Sequence, residues 1–207
     1  MIAIIKGPDS RIARQAEELA RAHSTDVLFN HVMRCYWFAE LFAQKEGTRV
    51  DSEMIFLSAV LHDLGLTDLA TGPHRFEIEG AGAARNFLVE RGVSEDRAQK
   101  VWDNIALHTW DVNQFRGDTS RLMQLGLAYD VSGVSGAQLD PADVAEVVGR
   151  YPRLNFKRAF NEALNREVDV KQPYPHWFHI CSRIAHNRYP LTIQDAPIVL
   201  DSAPFEE

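Results

Sequence analysis

The 207-residue chain has few cysteines and no long hydrophobic run. Its two cysteines, Cys35 and Cys181, lie far apart in the sequence. Two cysteines could form at most one disulfide, so a disulfide-stabilised scaffold is excluded. Two buried free thiols in a reducing compartment are the favoured interpretation. No window approaches the ~18 apolar residues that a membrane-spanning helix requires. We therefore expect a cytoplasmic protein that has no membrane partner.

Basic residues are in the minority. Lys and Arg number 22 against 29 Asp and Glu, which gives a formal net charge of −7 at neutral pH. A phosphate backbone would be repelled on average, so we expect no nucleic-acid partner. The chain is otherwise typical of a folded domain, with 45% hydrophobic and 25% charged residues. The expected partner is a small-molecule substrate, and homo-oligomerisation is left open.

Strict alternation of apolar and polar residues, the pattern of a half-buried β-strand, is absent from the chain. Helical periodicity is present instead, for example over residues 24–47. Further helix starts are indicated by capping residues, at Asp51 or Ser52, Ser94 and Asp140. We predict a single all-α domain over residues 1–207. Its core motifs lie in 24–134, and C-terminal helices with an extended tail occupy 141–207.

Two ionisable residues, His62 and Asp63, follow the most hydrophobic helical segment in the chain. An isolated buried charge costs several kcal/mol, so a carboxylate there needs a cation or a dense set of hydrogen bonds. Taken alone, the pair is more typical of a solvated Asp63 and a core His62. His31 and Asp130, on or near the ends of two other apolar helices, change this balance. Two histidines and two carboxylates form a suitable ligand set for Zn, Mn or Fe.

The order of these four residues resembles the metal-binding pattern of the HD superfamily of metal-dependent hydrolases. The resemblance is carried by FNHVMR, LSAVLHDLGL and LGLAYDVSG. It implies an HD-domain helical bundle with a buried metal site, in which His31, His62, Asp63 and Asp130 bind one divalent ion. Zinc is the preferred expectation, and manganese or iron stays open.

Four further strings resemble the cyanamide hydratase-like branch of that superfamily, namely RFEIEGAGAARNFL, VWDNIALHT, AYDVSG and KQPYP. This resemblance implies that the metal activates water against a small polar substrate such as a nitrile, with cyanamide giving urea. HD nucleotidases carry an acidic residue three positions after the HD aspartate, where this chain has Leu66. Two alternatives stay open: a phosphohydrolase of a nucleotide or another phosphate ester, and a non-catalytic ligand-binding HD module.

Three residues are candidates for the chemistry around the ion. Asp63 could accept a proton from the attacking water or orient it. His108 is the candidate acid, because it follows Asn104 by one turn on the same face of a predicted helix. Asn104 is a candidate with it, although both could be polar residues at a helix surface. An alternative assigns His108, together with His74, to a second metal ion.

Arg34 and Arg75 are the candidate substrate-binding residues. Arg34 lies three positions after His31 and could bind an anionic substrate, or it could clamp Asp63 or Asp130. Arg75 lies in the first of the strings that resemble the hydratase branch, where the site entrance is expected.

Three other features are predicted to be structural. Glu79 is expected to cap a helix that begins at Gly80. The basic run over 150–158 is typical of a solvated helix face, although it could meet a phosphate. The segment HWFH at 176–179 is expected to pack through its aromatic residues, with metal binding as the alternative.

Overall fold

The computed structural model describes residues 7–133, 139–171 and 180–188. Within these ranges the chain forms nine α-helices and two short 3₁₀-helices without a β-strand, which confirms the predicted all-α class. The α-helices are α1 (Arg11–His23), α2 (Asp26–Glu46), α3 (Ser52–Leu61), α4 (Phe76–Glu90), α5 (Glu95–Ala106), α6 (Asp118–Ser132), α7 (Pro141–Arg150), α8 (Phe156–Val170) and α9 (Ser182–Arg188). The 3₁₀-helices are Leu64–Leu66 and Asp111–Phe115. The predicted tail and the HWFH segment lie outside the described residues.

Side-chain caps begin three of the helices at the predicted positions. Asp51, Ser94 and Asp140 each accept a hydrogen bond from a backbone N–H in the first turn of α3, α5 and α7. Gly47 ends α2 with φ 65°, a left-handed conformation that glycine adopts readily. No helix in the described ranges is both long enough and apolar enough to cross a membrane.

Two helix starts differ from the sequence expectation. Helix α1 has no counterpart among the predicted helices; Ser10 caps it, and it buries a stripe of small residues, Ala13, Ala16 and Ala20. Helix α4 begins at Phe76, ahead of the expected start at Gly80. Glu79 therefore lies inside the helix, where its carboxylate accepts a hydrogen bond at 2.7 Å from the N–H of His74, which precedes the helix. The predicted cap by Glu79 is not observed, since no side chain caps the first turn of α4.

Helix α2 occupies the centre of the fold and packs along α6. A Cβ atom on Gly126 would lie 2.4 Å from the carbonyl oxygen of Cys35, so the close approach of α6 to α2 requires glycine there. Asp130 lies one turn after Gly126 on the same face of α6. The contact therefore brings Asp130 against the side of α2 that carries His31 and Arg34.

The start of α4 packs against the turn that follows α3. A Cβ atom on Gly65 would lie 1.8 Å from the carbonyl oxygen of Phe76, and one on Gly80 would lie 2.8 Å from the nitrogen of Gly65. Larger residues at either position would push the two segments apart. Gly65 follows the end of α3, as predicted, and this contact fixes the turn that carries His62 and Asp63.

Candidate metal centre

His62 lies at the C-terminal end of α3, where helix carbonyls lack intrahelical donors. Its Nδ1 donates to the carbonyl oxygen of Ala59 at 2.7 Å. Since a carbonyl can only accept, Nδ1 carries a proton, and the neutral ring keeps its free lone pair on Nε2. The end of α3 thus holds His62 in the tautomer that binds a metal through Nε2.

His108 repeats this arrangement after α5. The sequence predicts His108 on the same helix face as Asn104, but α5 ends at Ala106, so His108 lies beyond the helix. Its Nδ1 donates to the carbonyl oxygen of Ile105 at 2.7 Å, which again leaves Nε2 as the available nitrogen. The rings of His108 and His62 have centroids 4.8 Å apart. His108 therefore reaches the site from the end of the helix.

His31 enters the site from the second turn of α2. Its Nδ1 lies 2.6 Å from Oδ2 of Asp130, and its Nε2 lies 3.5 Å from Oδ2 of Asp63. Burial lowers the pKa of His31 and outweighs the opposing effects of Asp130 and Asp63. A neutral ring that donates through Nδ1 to a carboxylate is the usual state of a metal-ligating histidine.

The Asp63 carboxylate is buried, with 2% of the residue exposed, and neither oxygen has a hydrogen-bond partner among the described residues. Its Oδ2 lies 3.3 Å from Nε2 of His62. Burial raises the pKa of Asp63, but the neighbouring histidines, His62 foremost, outweigh burial and lower it to about 2. Burial likewise lowers the pKa of His62, and the carboxylate of Asp63 outweighs this and raises it. The carboxylate is thus ionised and needs a positive partner.

These side chains fit a divalent cation. Donor atoms of His62, Asp63 and His108 lie within 4.8 Å of one another, as do donor atoms of His31, Cys35 and His62. A buried carboxylate that faces imidazole lone pairs is unfavourable unless a proton or a cation lies between them. Zinc, manganese and iron all accept imidazole and carboxylate ligands, so the donor set does not select among them.

Both cysteines are buried and free, as expected. The Cys35 thiol lies 3.5 Å from Nδ1 of His31. Burial, and then the nearby Asp130 and Asp63 carboxylates, raise the pKa of Cys35 well above its usual value. A neutral thiol next to the site is consistent with the predicted core position.

The carboxylate of Asp130 lies next to Nδ1 of His31, and both of its oxygens accept hydrogen bonds. Oδ1 accepts from Nε of Arg34 at 2.7 Å and from Arg153 at 2.8 Å, while Oδ2 accepts from Arg34 at 2.8 Å and from His31. Burial raises the pKa of Asp130, but the hydrogen bonds from His31 and Arg34 outweigh it and lower the pKa. These contacts orient His31, and metal ligation by Asp130 stays a prediction.

Arg34 is fully buried, with 0% exposed, and acts as the clamp that the sequence left as an alternative. Besides its two bonds to Asp130, it donates to the carbonyl oxygens of Tyr151 and Pro152 at 3.0 and 3.3 Å. All three guanidinium nitrogens therefore have acceptors within the protein. The substrate-binding role predicted for Arg34 stays a prediction, and these contacts support a structural role.

Arg153 is a site residue that the sequence analysis did not single out. It belongs to the basic run that was expected to form a solvated face, yet its guanidinium also donates to the carbonyl oxygen of Asp130 at 3.1 Å. The turn that follows contains two non-glycine residues with positive φ, Leu154 at 45° and Asn155 at 67°. Such a conformation costs about 1–2 kcal/mol for a residue like leucine. This strained turn places Phe156, whose ring stacks on His31 with centroids 4.6 Å apart.

Arg75 and His74 lie at the start of α4. The guanidinium of Arg75 lies over the ring of Trp110 at 5.6 Å, and His74 is exposed. The carbonyl oxygen of His74 accepts from Nζ of Lys171 at 2.7 Å, so its backbone joins α4 to the end of α8. The substrate-binding role of Arg75 and the second-metal role of His74 stay predictions.

Asn104 is buried and joins three helices. Its Nδ2 donates to Ser58 at 3.0 Å on α3, and its Oδ1 accepts from Ser120 at 2.7 Å on α6. Its own carbonyl oxygen accepts from Asn113 at 3.1 Å. The catalytic role of Asn104 stays a prediction, but its amide is committed to holding the helices together.

Replacing Asn104 with Ala is expected to lower the free energy of unfolding by about 1–3 kcal/mol, because two buried serines lose a partner. Chemical denaturation measures this change. The folded variant should keep its metal content, with its turnover within about threefold of wild type. Ser58→Ala removes one of the same bonds and serves as the matched control. A loss of turnover beyond about 100-fold in Asn104→Ala alone, with full metal content, would establish a catalytic role.

Two curated proteins are similar to this chain, the cyanamide hydratases DDI2 and DDI3 of Saccharomyces cerevisiae. Each is 23% identical over 185 residues, which cover 84% of this chain and 80% of the relative. No protein-family model matches the chain. The similarity supports a relation to cyanamide hydratases and a hydratase-like activity in general.

Proposed function

We propose that the protein is a metal-dependent hydratase of the HD type that activates water against a small neutral substrate, with a nitrile such as cyanamide as the candidate. The observation that carries this proposal is the buried carboxylate of Asp63, which faces His31 and His62 without a hydrogen-bond partner among the described residues. The relation to two cyanamide hydratases supports the class of reaction.

The residues that would hold the ion are His31, His62 and Asp63. His108 is close enough to be a further ligand. Asp130 would either bind the ion as well or act only as the hydrogen-bond acceptor of His31. When bound, a divalent cation supplies Lewis acidity and lowers the pKa of water towards about 7. Asp63 has two oxygens, so one can accept the proton of the attacking water while the other binds. Asp130 holds the ring of His31 in the ligating tautomer.

The geometry of His108 supports a role other than the predicted acid. Its Nδ1 proton is engaged by the Ile105 carbonyl, so the free nitrogen of the neutral ring can only accept. Burial, and then His62, lower the pKa of His108 to about 4, which favours the neutral ring. Its closeness to His62 and Asp63 fits a ligand or a proton acceptor.

The arginines near the site bear on the choice between a neutral substrate and a phosphate ester. A phosphate requires cationic groups with free donors. Arg34 and Arg153 both donate to the single carboxylate of Asp130, and the remaining nitrogen of Arg34 binds carbonyl oxygens. Arg75, whose Nε has no hydrogen-bond partner among the described residues, could still meet a phosphate, so the preference for a hydratase over the phosphohydrolase alternative rests on the similarity to two cyanamide hydratases.

Metal analysis combined with a substrate screen tests the proposal. We expect about one equivalent of divalent metal per chain and hydration of cyanamide or a simple nitrile, without turnover of p-nitrophenyl phosphate or nucleotides. His62→Gln should lose metal and activity together, whereas the matched variant of the exposed His74, His74→Gln, should lose neither. Uptake below about a tenth of an equivalent, or turnover of phosphate esters alone, would overturn the proposal.

A further inference from the structure

The candidate metal centre is almost closed to solvent among the described residues. His31, His62, Asp63 and Asp130 each have 3% or less of their surface exposed. A substrate must therefore pass between side chains to reach Asp63. Among the described residues, a groove of about 390 Å³ between the start of α2, residues 66–68 and α8 touches both segments that carry the candidate ligands.

The residues that line this groove are close in the chain to the candidate ligands. Val27 and Leu28 line it from α2, four and three positions before His31, so they lie one turn away on the same helix face. Leu66 and Thr67 line the opposite wall, just after the turn that carries Asp63. The groove thus opens onto the side of the site where the segments of His31 and Asp63 converge.

Two aromatic rings from α8 separate the groove from the ligands. Phe156 and Phe160 both line the groove, and their ring centroids lie 4.6 and 5.5 Å from that of His31. Phe156 is fixed, since it is buried, stacks on His31 and has the guanidiniums of Arg34 and Arg153 within 5.4 Å of its ring centroid. Phe160 is only partly buried, and its ring stacks on that of Phe156 with centroids 5.0 Å apart.

We propose that this groove is the substrate route to the metal centre and that Phe160 is the gate that limits the substrate to small neutral molecules. The inference rests on the proposed function and refines its substrate class. An aromatic gate has no group that can replace the hydration of a charged substrate, so ions pass it at a high cost in desolvation. The bulk of the Phe160 ring also hinders larger neutral molecules. We expect their association rates to be about tenfold or more below those of small ones.

The test uses the full-length protein loaded with Co²⁺, whose visible spectrum reports a ligand that reaches the ion without any turnover. At about pH 8.5, where both molecules are neutral, imidazole and the larger benzimidazole serve as probes, and stopped-flow absorbance measures their association rates. Wild type should bind imidazole at least about tenfold faster than benzimidazole. Phe160→Ala should remove most of this difference. Phe115→Ala, which changes an aromatic residue that is 79% exposed, is the matched control and should keep the wild-type ratio.

A second variant tests the route from the groove side. Ala163 lines the groove one turn after Phe160, and Ala163→Phe should slow association of both probes about tenfold while leaving their affinities nearly unchanged, because a blocked path slows entry and exit alike. Wild-type rates in both variants would show that the groove is not the route, while leaving the hydratase proposal intact. Failure of the wild type to bind Co²⁺ would instead overturn the metal site, and with it this inference.

Discussion

Replacing Asp63 with Asn is expected to abolish activity while stabilising the metal-depleted protein. The activity should fall by about 10³-fold or more, together with metal content, because the central carboxylate ligand is lost. The stability should rise because Asp63 is a buried charge that lacks a hydrogen-bond partner among the described residues. An Asn side chain carries no charge, and its amide can donate to the free Nε2 of His62 or His31. We expect a gain of about 1–2 kcal/mol in the free energy of unfolding at high pH, where His62 is neutral and no longer compensates the carboxylate.

The gain from Asp63→Asn should depend on pH. Asp63 raises the pKa of His62 above 6.5, so the pair contributes stability below that value and loses it as the pH rises through the higher folded pKa. At about pH 9, where His62 is neutral, Asp63 is an uncompensated buried charge and the gain is largest. At about pH 6 the protonated His62 lowers the pKa of Asp63 to about 2, so the charged pair favours folding and Asp63→Asn should instead cost stability. Urea unfolding with chelator at both pH values measures this. Asp68→Asn, at an exposed position, is the control, and a clear loss of stability in Asp63→Asn at high pH would contradict our account.

The candidate ligands could be singled out from the sequence because the signal is local. A His-Asp pair after an apolar run needs a positive partner wherever the chain goes, and His31 and Asp130 carry the same anomaly on two other apolar helices. The structure brings all four residues together, with His31 in contact with both carboxylates. The helix caps at Asp51, Ser94 and Asp140 were predictable for the same reason, since a cap depends only on its own first turn.

Other features could not be predicted because their cause lies in tertiary contacts. Arg153 reaches Asp130 from the segment between α7 and α8, just before two residues with positive φ, and nothing in a basic run signals this arrangement. Asn104 has the sequence context of a surface polar residue, but it is buried and forms hydrogen bonds with serines on two other helices. Helix α1 is different, because the sequence did carry a signal for it: Ser10 caps it, and its apolar residues at 12, 13, 16, 19 and 20 follow the period of an amphipathic helix.

Replacing Arg34 with Leu is expected to give the largest loss of stability of any single change at the site. Arg34 supplies two hydrogen bonds to the buried carboxylate of Asp130 and binds the carbonyl oxygens of Tyr151 and Pro152. Removing it leaves Asp130 with only Arg153 and His31 as partners in a buried position. A buried charge pair that loses one partner typically costs about 3–5 kcal/mol, and the retained Arg153 places our expectation near 3 kcal/mol. Urea unfolding of metal-depleted protein measures the change.

A double-mutant cycle separates this clamp from a substrate-binding role for Arg34. If the loss arises from the stranded carboxylate, Asp130→Asn in the Arg34→Leu background should restore part of the stability, because no unpaired charge then remains. Arg158→Gln, which alters an exposed arginine paired with Glu162, should leave the unfolding midpoint unchanged. A stable Arg34→Leu protein with a raised KM and an unchanged kcat would instead assign the guanidinium to the substrate. The buried bonds to Asp130, Tyr151 and Pro152 lead us to expect the first result, since they leave no nitrogen of Arg34 without an acceptor.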